Sequence, residues 1–384
     1  MNVRIQQARD VQEWMIEHRR ELHRHPEVGL ELPRTHDYIA STLHDLGLVS
    51  ESRRAAGVTV RIPGSAPDDS VSVLRADMDA LPVTERTDLP FRSTAAGAMH
   101  ACGHDLHMAM LLGAAKVLVD NPPRRDTVLV FQPGEESDRG ALRSLDHANL
   151  TFRGQATAFA VHVHALASPG SILCRPGVFM AYGDWFTVEL GGPGGHASQP
   201  HLVGNPVEAA SEITIRLRQL VGELATEEHV VATVTESRIG NTVNVIPASG
   251  RLRGTLRTLT ADTRTQLIRA MHDLVGDVVA SRRLTGALTI HEGYPAVVND
   301  VDFITRLETR LGQTELAGNV VAMPEPSMVI EDFAYFLQRW PGAMVYLGAQ
   351  AEGNTSFNHA DDVVYDESAL EVGAALHLMA ADGI

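Results

Sequence analysis

The hydrophobic positions of the N-terminal half of the chain fall into two patterns. Short β-prone runs occur in VSVLRADMDALP (71–82), DTVLVFQPGEES (126–137) and ATAFAVHVHA (156–165), and each ends in polar or charged residues. The segment DLHMAMLLGAAKVLVD (105–120) is longer and apolar on nearly all sides, which is typical of a buried helix. Strands that alternate with helices predict an α/β fold with a mainly parallel sheet flanked by helices.

The first residues have the periodicity of an amphipathic helix. Val11, Trp14, Met15, His18 and Leu22 recur at intervals that place them on one helical face. This segment lacks the apolar core of a signal peptide, and the sequence contains no apolar run long enough to cross a membrane. We therefore predict an N-terminal amphipathic helix, and neither a signal peptide nor a membrane span.

The pattern changes in the middle of the chain. WFTVEL, HVVATVTES, SGRLRGTLRT and ALTIHEG are strand-like, and two long helix-like segments lie among them. Their βαββαβ order predicts a ferredoxin-like α+β sandwich inserted into the first domain. We expect residues 1–182 and 294–384 to form one discontinuous α/β domain and residues 183–293 to form the inserted domain.

The composition excludes several classes of partner. The 384 residues carry a formal net charge of −16, so nucleic acid and anionic membranes would be repelled. The chain has two cysteines, Cys102 and Cys174, which excludes a disulfide framework and fits a reducing cytoplasm. With 44% hydrophobic residues and a length beyond one ordinary core, we expect a soluble protein of two domains.

Side chains with metal-ligand chemistry follow the predicted strands. In an open α/β sheet, ligands bind beyond the carboxyl ends of the strands. The residues at these ends, with the pair just before the buried helix, are Asp77, Asp79, Glu135, Glu136, His162, His164, Cys102 and His104. Thiolate, imidazole and carboxylate together suit a divalent transition metal. If these strands are neighbours, the sequence predicts a metal site at one edge of the sheet.

Two of these motifs also have simpler interpretations. The Cys-x-His pair alone is a weak signal, and a capped helix start with a buried Cys102 explains it equally well. The adjacent Glu135 and Glu136 could form an exposed acidic turn. Their place after an apolar strand favours a pocket instead, where a metal would hold one carboxylate and the other would take a proton from a polarised water.

Longer motifs give the chain a family resemblance over nearly its full length. They are RRELHRHPEVGLE, RADMDALPVTE, HACGHDLHMAMLLGAA, VFQPGEE, GGPGGHASQPH, NVIPASGRLRGTLRT, GYPAVVND and EDFAYFLQRWPG. On these motifs the chain resembles the M20 metallopeptidase family, specifically its amidohydrolase branch. That branch includes N-acyl-amino-acid amidohydrolases, hippurate hydrolases and auxin–amino-acid conjugate hydrolases.

The resemblance implies two divalent metal ions per subunit. Matched motif by motif, the ligands would be Cys102, His104, Glu136, His162 and His359. Glu135 would be the general base, which activates a water and later protonates the leaving amine. Asp79 would orient a metal ligand. Asp77 and Asp105 are further candidates for holding the second nitrogen of a ligating imidazole.

The metal and one ligand are less well defined by the motifs. Members of this branch are reported with manganese, zinc, nickel or cobalt, and the thiolate favours a softer metal such as zinc over magnesium. His359 lies in SFNHADDVVYDE, where the family usually has histidine, a small or polar residue and then proline. A surface-loop histidine is the alternative for this residue. His107 and His164 are interpreted as neighbours of the site that do not bind metal.

The resemblance also assigns roles to the two predicted domains. The discontinuous domain would bind the metals and catalyse, and the inserted domain would be a lid and dimerisation domain. His196 would reach the active site of a partner subunit and stabilise the oxyanion. Asn244 and Arg257 would bind substrate, with Arg257 suited to a carboxylate. A turn-capping asparagine and a salt-bridged strand arginine are the alternatives.

The sequence thus predicts a metal-dependent amidohydrolase of N-acyl amino acids. It would form a homodimer or higher homo-oligomer through the inserted domain. A dipeptidase or aminopeptidase of the same wider family is the alternative. Two further hypotheses are a cysteine hydrolase that uses Cys102 with a histidine, and a metal-binding protein without catalysis. The intact Glu135–Glu136 pair and His196 argue against the last of these.

Overall fold

The chain forms two compact units. The computed structural model describes residues 2–65, 69–136, 139–147, 150–225 and 229–384. The first unit comprises Met1–Phe179, Val298–Glu325 and Glu331–Ile384, and the second comprises Met180–Val297 and Pro326–Ile330. The second unit is therefore slightly longer at both ends than the inserted domain expected from the sequence, and it takes in a short later segment. The catalytic and lid roles of the two domains stay predictions.

Most of the first unit precedes the second along the chain. The helices in this part are α1 (Val3–Asp10), α2 (Gln12–Arg24), α3 (Pro33–Asp45), α4 (His104–Asp120) and α5 (Gly140–His147). The strands are β1 (Ser50–Arg53), β2 (Gly57–Ile62), β3 (Val71–Asp77), β4 (Asp126–Gln132), β5 (Ala156–His164), β6 (Ile172–Cys174) and β7 (Gly177–Met180). The three β-prone runs and the apolar helix of the sequence analysis are β3, β4, β5 and α4.

The second unit has the βαββαβ order predicted from the sequence. Its elements are β8 (Tyr182–Gly191), β9 (Gly195–His196), α6 (Pro206–Leu224), β10 (Val231–Ile239), β11 (Val245–Ile246), β12 (Ser249–Thr258), α7 (Ala261–Ser281) and β13 (Thr285–Tyr294). The four long strands form an antiparallel sheet in the order β10–β12–β8–β13. Alternate residues of β8, among them Phe186 and Val188, share one core with α6 and α7. The predicted ferredoxin-like sandwich is confirmed.

The rest of the chain completes the sheet of the first unit. The remaining elements are β14 (Val297–Asn299), α8 (Val301–Leu311), β15 (Val320–Ala322), α9 (Ala334–Arg339), β16 (Gly342–Gly348) and α10 (Ala369–Ala381). The eight-stranded sheet has the order β1–β2–β4–β3–β5–β16–β6–β15. Its central strands β4, β3, β5 and β16 are parallel neighbours. The predicted α/β class, a mainly parallel sheet flanked by helices, is confirmed.

The parallel strands bring their carboxyl ends to one edge of the sheet. Strand β3 ends at Asp77 and β4 at Gln132. Helix α4, buried along most of its length, packs on β3 and β5 and begins at His104. The preceding Gly103 has a φ of 83°, and a Cβ there would lie 2.4 Å from Cγ2 of Val163, so only glycine fits this helix start. The sheet edge and this turn therefore fix the positions of the residues around them.

The predicted N-terminal amphipathic helix is present, but it is interrupted once. The segment forms α1 and α2, which meet at Val11, where φ and ψ of −106° and 9° leave the helical range. Met15 and Leu22 are buried, as an amphipathic face requires. Arg19 is buried as well, because its Nε binds Oδ2 of Asp105 at 2.7 Å. Among the described residues, no helix combines the length and the apolar character that crossing a bilayer requires.

The close pairing of β5 and β16 generates a stability prediction. A Cβ on Gly342 would lie 1.8 Å from the carbonyl oxygen of Ala158 on the neighbouring strand. Gly342→Ala should therefore force the strands apart and lower the free energy of unfolding by about 1–3 kcal/mol. Urea unfolding measures this change. Gly318→Ala is the control in the same unit, because a Cβ there meets no atom within 4 Å. If Gly342→Ala were as stable as Gly318→Ala, the described pairing would be wrong.

Candidate metal centre

Five donor side chains from four segments of the first unit meet at the edge of the sheet. They are Cys102 before α4, His104 at its first residue, Glu136 after β4, His162 in β5 and His359 after β16. Sγ of Cys102 lies 3.5 Å from Nε2 of His162 and 3.2 Å from Nε2 of His359. Oε1 of Glu136 lies 3.4 Å from Nε2 of His359 and 3.8 Å from Nε2 of His104. The structure thus brings together all the residues that the sequence suggested as metal ligands.

Backbone carbonyl groups fix the orientation of two of these imidazoles. Nδ1 of His104 donates to the carbonyl oxygen of Asp79 at 2.8 Å, and Nδ1 of His162 donates to that of Val163 at 2.9 Å. A ring nitrogen that faces a carbonyl oxygen carries the proton, so Nε2 of each ring keeps its lone pair. Histidines that bind metals are commonly held in this way.

Unsatisfied polar atoms show that the cluster fits bound cations. Within the part of the chain that the structure describes, Nε2 of His104 and Oε1 of Glu136 are buried and have no hydrogen-bond partner. Such atoms cost free energy unless another group binds them. The donor set of thiolate, imidazole and carboxylate suits divalent transition metals. These donors therefore form a candidate metal centre.

The electrostatics of the centre also favour a cation. Burial, and then the carboxylates of Glu136 and Glu135, raise the pKa of the Cys102 thiol well above its ordinary value. Burial alone would raise the pKa of Glu136, but the nearby His359 and His104 outweigh it and lower that pKa. A cation that binds in this acidic surrounding would stabilise the thiolate and release the thiol proton.

Asp79 holds the turn that presents the two glutamates. Its carboxylate accepts hydrogen bonds from the backbone N–H groups of Glu135 at 2.9 Å and Glu136 at 3.1 Å. Asp79 is only 1% exposed, so these bonds replace the water that its carboxylate would otherwise bind. Its carboxylate thus contacts the backbone of a donor residue, and its carbonyl oxygen contacts the ring of His104. The role of Asp79 in catalysis stays a prediction.

Glu135 is buried beside the donors. One of its carboxylate oxygens lies within 4.8 Å of donor atoms of both His104 and Glu136. Burial, reinforced by nearby acids such as Glu136, raises the pKa of Glu135 well above its ordinary value. A carboxylate whose pKa is raised in this way is suited to take up a proton and to return it.

His107 lies next to the centre but is fully engaged in hydrogen bonds. Its Nδ1 donates to Oδ1 of Asp77 at 2.6 Å, and its Nε2 accepts the backbone N–H of Val163 at 2.8 Å. Although donor atoms of Asp77, His104 and His107 lie within 4.8 Å of one another, His107 has no free lone pair for a metal. It supports the strand residue that follows His162.

Asp105 and His164 are engaged elsewhere. Oδ2 of Asp105 accepts hydrogen bonds from Nδ1 of His23 at 2.8 Å and from Nε of Arg19 at 2.7 Å, so this carboxylate holds a different imidazole from those of the donor cluster. The ring of His164 packs edge-on against Tyr346, with centroids 5.4 Å apart. His164 is interpreted from the sequence as a neighbour that does not bind metal, and within the described residues it is not part of the donor cluster.

His359 adopts an uncommon backbone conformation. Its φ of 76° lies in the left-handed region that residues other than glycine rarely adopt. Its backbone N–H donates to the carbonyl oxygen of Ala101 at 2.8 Å, which ties it to the loop of Cys102. The alanine and aspartate that replace the usual family pattern after His359 therefore do not prevent its ring from reaching the cluster. Strained conformations of this kind persist where the surrounding structure holds them, often at functional sites.

The second unit carries the three other residues that the sequence singled out. His196 lies in β9, is exposed, and pairs with Val245 of β11. The carbonyl oxygen of Asn244 accepts the N–H of Ala197, so Asn244 lies beside His196 on this short ribbon. Arg257 lies in β12, where burial lowers the pKa of its guanidinium. The roles of these three residues stay predictions.

The sequence analysis missed a buried network around Arg75 of β3. Nη2 of Arg75 donates to Oε1 of Glu331 and to Oδ1 of Asp332, each at 2.9 Å, and its Nε donates to Oε1 of Gln132 at 2.9 Å. All four residues are at most 1% exposed. Two adjacent acids before an apolar segment, in EDFAYF, were the available signal in the sequence, and they resemble the Glu135–Glu136 motif in this respect.

Comparison with known proteins decides the family of this chain. A family model described as Peptidase family M20/M25/M40 matches residues 73–382, a stretch that contains every donor described above. The chain belongs to peptidase family M20/M25/M40. The resemblance inferred from the sequence motifs is therefore confirmed.

Proteins with similar sequences or structures match the chain over nearly its full length. The chain is 33% identical to thermostable carboxypeptidase 1 of Saccharolobus solfataricus, over 97% of this chain and 96% of that protein. It is 32% identical to N-acetyldiaminopimelate deacetylase of Bacillus subtilis, over 96% of this chain and 97% of that protein. A crystal structure of Bacillus subtilis YXEP, described as a dinuclear metal binding peptidase from the M20 family, matches with a TM-score of 0.83 and 29% identity, covering 97% of this chain and 98% of that one.

The two cysteines provide a matched test of the metal centre. Cys102→Ser removes a donor that lies within 3.5 Å of two histidine nitrogens. Loss of an outer partner of a ligand weakens metal binding about 10–100-fold, so loss of a ligand should weaken it by at least about 100-fold. Cys174→Ser changes a buried thiol beside Glu308 and should keep the wild-type metal content. Elemental analysis after dialysis measures both. Equal metal content in the two variants would contradict the assignment of Cys102.

Proposed function

We propose that this M20 chain is a metal-dependent amidohydrolase that cleaves the amide bond of N-acyl amino acids to a carboxylic acid and a free amino acid. The observation that carries the proposal is the cluster of metal donors in the first unit, in which Cys102, His104 and His162 are buried, with Glu135 beside it. A metal centre with an adjacent base is what hydrolysis by an activated water requires. The chain is a hydrolase of amide bonds, the class to which the peptidases of its family belong.

The substrate class follows from what the names of the relatives share. A carboxypeptidase releases an amino acid that carries a free carboxylate, and N-acetyldiaminopimelate deacetylase removes an acyl group from the nitrogen of an amino acid. In both reactions the leaving nitrogen belongs to an amino acid. An N-acyl amino acid contains this same amide, which makes it the proposed substrate. A dipeptidase or aminopeptidase, the alternative that the sequence left open, is not favoured.

Two divalent metal ions per subunit are part of the proposal. The residues that would hold them are Cys102, His104, Glu136, His162 and His359. The description of the YXEP structure as dinuclear supports the number. When bound, such ions polarise the amide carbonyl and lower the pKa of a water. Zinc or manganese is proposed, with nickel or cobalt as alternatives, and the Cys102 thiolate favours a softer metal such as zinc over magnesium.

Glu135 would move the proton during the reaction. Its carboxylate takes a proton from the attacking water and returns it to the nitrogen of the leaving amino acid. The raised pKa of Glu135 suits both transfers. It makes the carboxylate a stronger base toward the water, and it lets the carboxyl group keep the proton until the leaving nitrogen accepts it. Asp79 holds the backbone of Glu135, so the base is presented from a fixed turn.

The surroundings of Cys102 argue against a cysteine hydrolase. A nucleophilic cysteine needs a thiolate, which positive surroundings stabilise by lowering the thiol pKa. Burial, Glu136 and Glu135 raise the pKa of Cys102 instead, although His162 and His359 lie within 3.5 Å of its sulfur. Chelation separates the two classes of enzyme, because a thiol enzyme would stay active without metal.

Assembly and location complete the proposal. Strand β10 forms one edge of the second unit's sheet, and exposed edges are surfaces to which a strand of another copy can add. We infer a homodimer or higher homo-oligomer through this unit, in the cytoplasm, in which His196 stabilises the oxyanion and Asn244 and Arg257 bind the substrate. A strictly monomeric active enzyme in size-exclusion chromatography with light scattering would contradict this assembly.

Glu135→Gln tests the assigned base. The amide keeps the shape of the side chain but cannot accept and return the proton, so kcat for an N-acyl amino acid should fall about 10²–10⁴-fold. The metal content should not change. Glu371→Gln, at a surface carboxylate that pairs with Arg9, is the control and should match the wild type. Chelation should abolish the activity of wild type and control alike, and added metal should restore it. Full activity of Glu135→Gln would refute the assigned base.

A further inference from the structure

Four buried carboxylates lie around a single guanidinium next to the proposed base. Arg75 binds Oδ2 of Asp77 at 2.7 Å and one oxygen each of Glu331 and Asp332 at 2.9 Å. Oxygens of Glu135, Glu331 and Asp332 lie within 4.8 Å of one another. These four acids are at most 5% exposed. One guanidinium does not balance so many negative charges away from water, which favours a proton on one of the carboxyl groups.

The hydrogen bonds show which of these acids are satisfied as carboxylates. Both oxygens of Asp332 accept a bond from the amide nitrogen of Gln132 at 2.9 Å, and Oδ2 also accepts the N–H of Ala141 at 2.8 Å. Oδ1 of Asp77 accepts from His107, and its Oδ2 accepts from Arg75. An acid that only accepts hydrogen bonds is stabilised in its ionised form. The hydrogen bonds of Asp332 and Asp77 therefore favour their ionised carboxylate forms.

Glu331 differs from these two acids. Its Oε1 accepts from Nη2 of Arg75 and from the backbone N–H of Phe333, both at 2.9 Å. Its Oε2 is buried and has no hydrogen-bond partner among the described residues. An oxygen that carries a proton needs an acceptor, and a carboxylate oxygen of Glu135 lies within 4.8 Å of an oxygen of the Glu331 carboxyl group.

We propose that Glu331 is a positioning residue for Glu135, in which a protonated Oε2 donates a hydrogen bond to the Glu135 carboxylate and fixes the base beside the metal donors. This inference rests on the proposed function. The proton stays on Glu331, and no bond to it breaks during the reaction. Arg75 completes the arrangement, because it holds Oε1 of the same carboxyl group and so directs Oε2.

The charged groups around Glu331 agree with this protonation. They are Arg75 and Asp77 of β3, Glu135 after β4, and the adjacent Asp332. Burial raises the pKa of Glu331, Arg75 opposes this, and Asp77 and Asp332 raise it further, to about 8. The donor form is therefore present below pH 8 and is lost as the pH rises through that value, whereas Asp332, with a pKa of about 6, loses its proton first.

A glutamine separates this role from that of a charged partner for Arg75. In Glu331→Gln, the amide oxygen can accept from Arg75 and Phe333 while the amide nitrogen donates to Glu135, as the protonated acid would. Glu331→Leu keeps the volume and removes both functions. If Glu331 instead served as an ionised partner of Arg75, glutamine and leucine would both remove the charge and be similarly damaging.

The experiment compares the two variants with the wild type as full-length, metal-loaded enzymes on an N-acyl amino acid. Glu331→Leu should lower kcat about 10²-fold with little change in KM and metal content, because a base that is displaced by about 1 Å loses that much rate. Glu331→Gln should keep the neutral-pH kcat. It should also lack the fall in kcat above pH 8 that ionisation of Glu331 causes in the wild type. If glutamine were as harmful as leucine, or kept that alkaline fall, the inference would be overturned.

Difference infrared spectroscopy gives a readout that needs no turnover. The wild type minus Glu331→Gln spectrum at neutral pH should contain the carbonyl stretch of a protonated carboxylic acid, and the band should disappear above pH 8. Its absence would overturn the inference, even if Glu331→Leu does not fold. A wild type that shows the band but hydrolyses no N-acyl amino acid would instead contradict the proposed function.

Discussion

The hydrogen bonds of Asp79 connect the segment after β3 to two of the segments that carry the metal donors. From the end of β3, its carboxylate accepts the backbone N–H groups of Glu135 and Glu136, and its carbonyl oxygen accepts from His104. One buried residue thus sets the relative positions of the proposed base, a carboxylate donor and an imidazole donor. Because Asp79 is shielded from water, solvent does not compete for these bonds.

The distribution of charge explains why the centre has two distinct sides. On one side lie a thiol, a carboxylate and imidazoles, and the buried atoms of His104 and Glu136 that have no partner among the described residues favour a cation. On the other side, Arg75 and a proton offset the charge of buried acids without any metal. Glu135 lies next to both sides. One of its carboxylate oxygens lies within 4.8 Å of donor atoms of His104 and Glu136, and one lies within 4.8 Å of an oxygen of Glu331. Its ability to exchange a proton therefore depends on both sides together.

The features that could be predicted from the sequence are short motifs, whose residues are close to one another along the chain. The glutamate pair after β4 and the Cys-x-His pair before α4 are recognisable because a parallel sheet collects its strand ends at one edge. Contacts between distant segments gave no such pattern: Glu331 meets Arg75 across 256 positions, and Asp105 meets Arg19 across 86. The hydrogen bonds from Glu135 and Glu136 to the Asp79 carboxylate could not be predicted either, because they require β3 and β4 to be adjacent and parallel.

Anomalous diffraction from crystals of the metal-loaded protein tests the central claim most directly. We predict two anomalous peaks per subunit, with bonds of about 2.0–2.3 Å to the cluster of Cys102, His104, Glu136, His162 and His359. Glu135 should lie outside both coordination spheres, with its carboxylate directed toward the space between the two ions. Peaks at another place in the chain, or Glu135 bonded to a metal, would contradict both the ligand set and the assigned base.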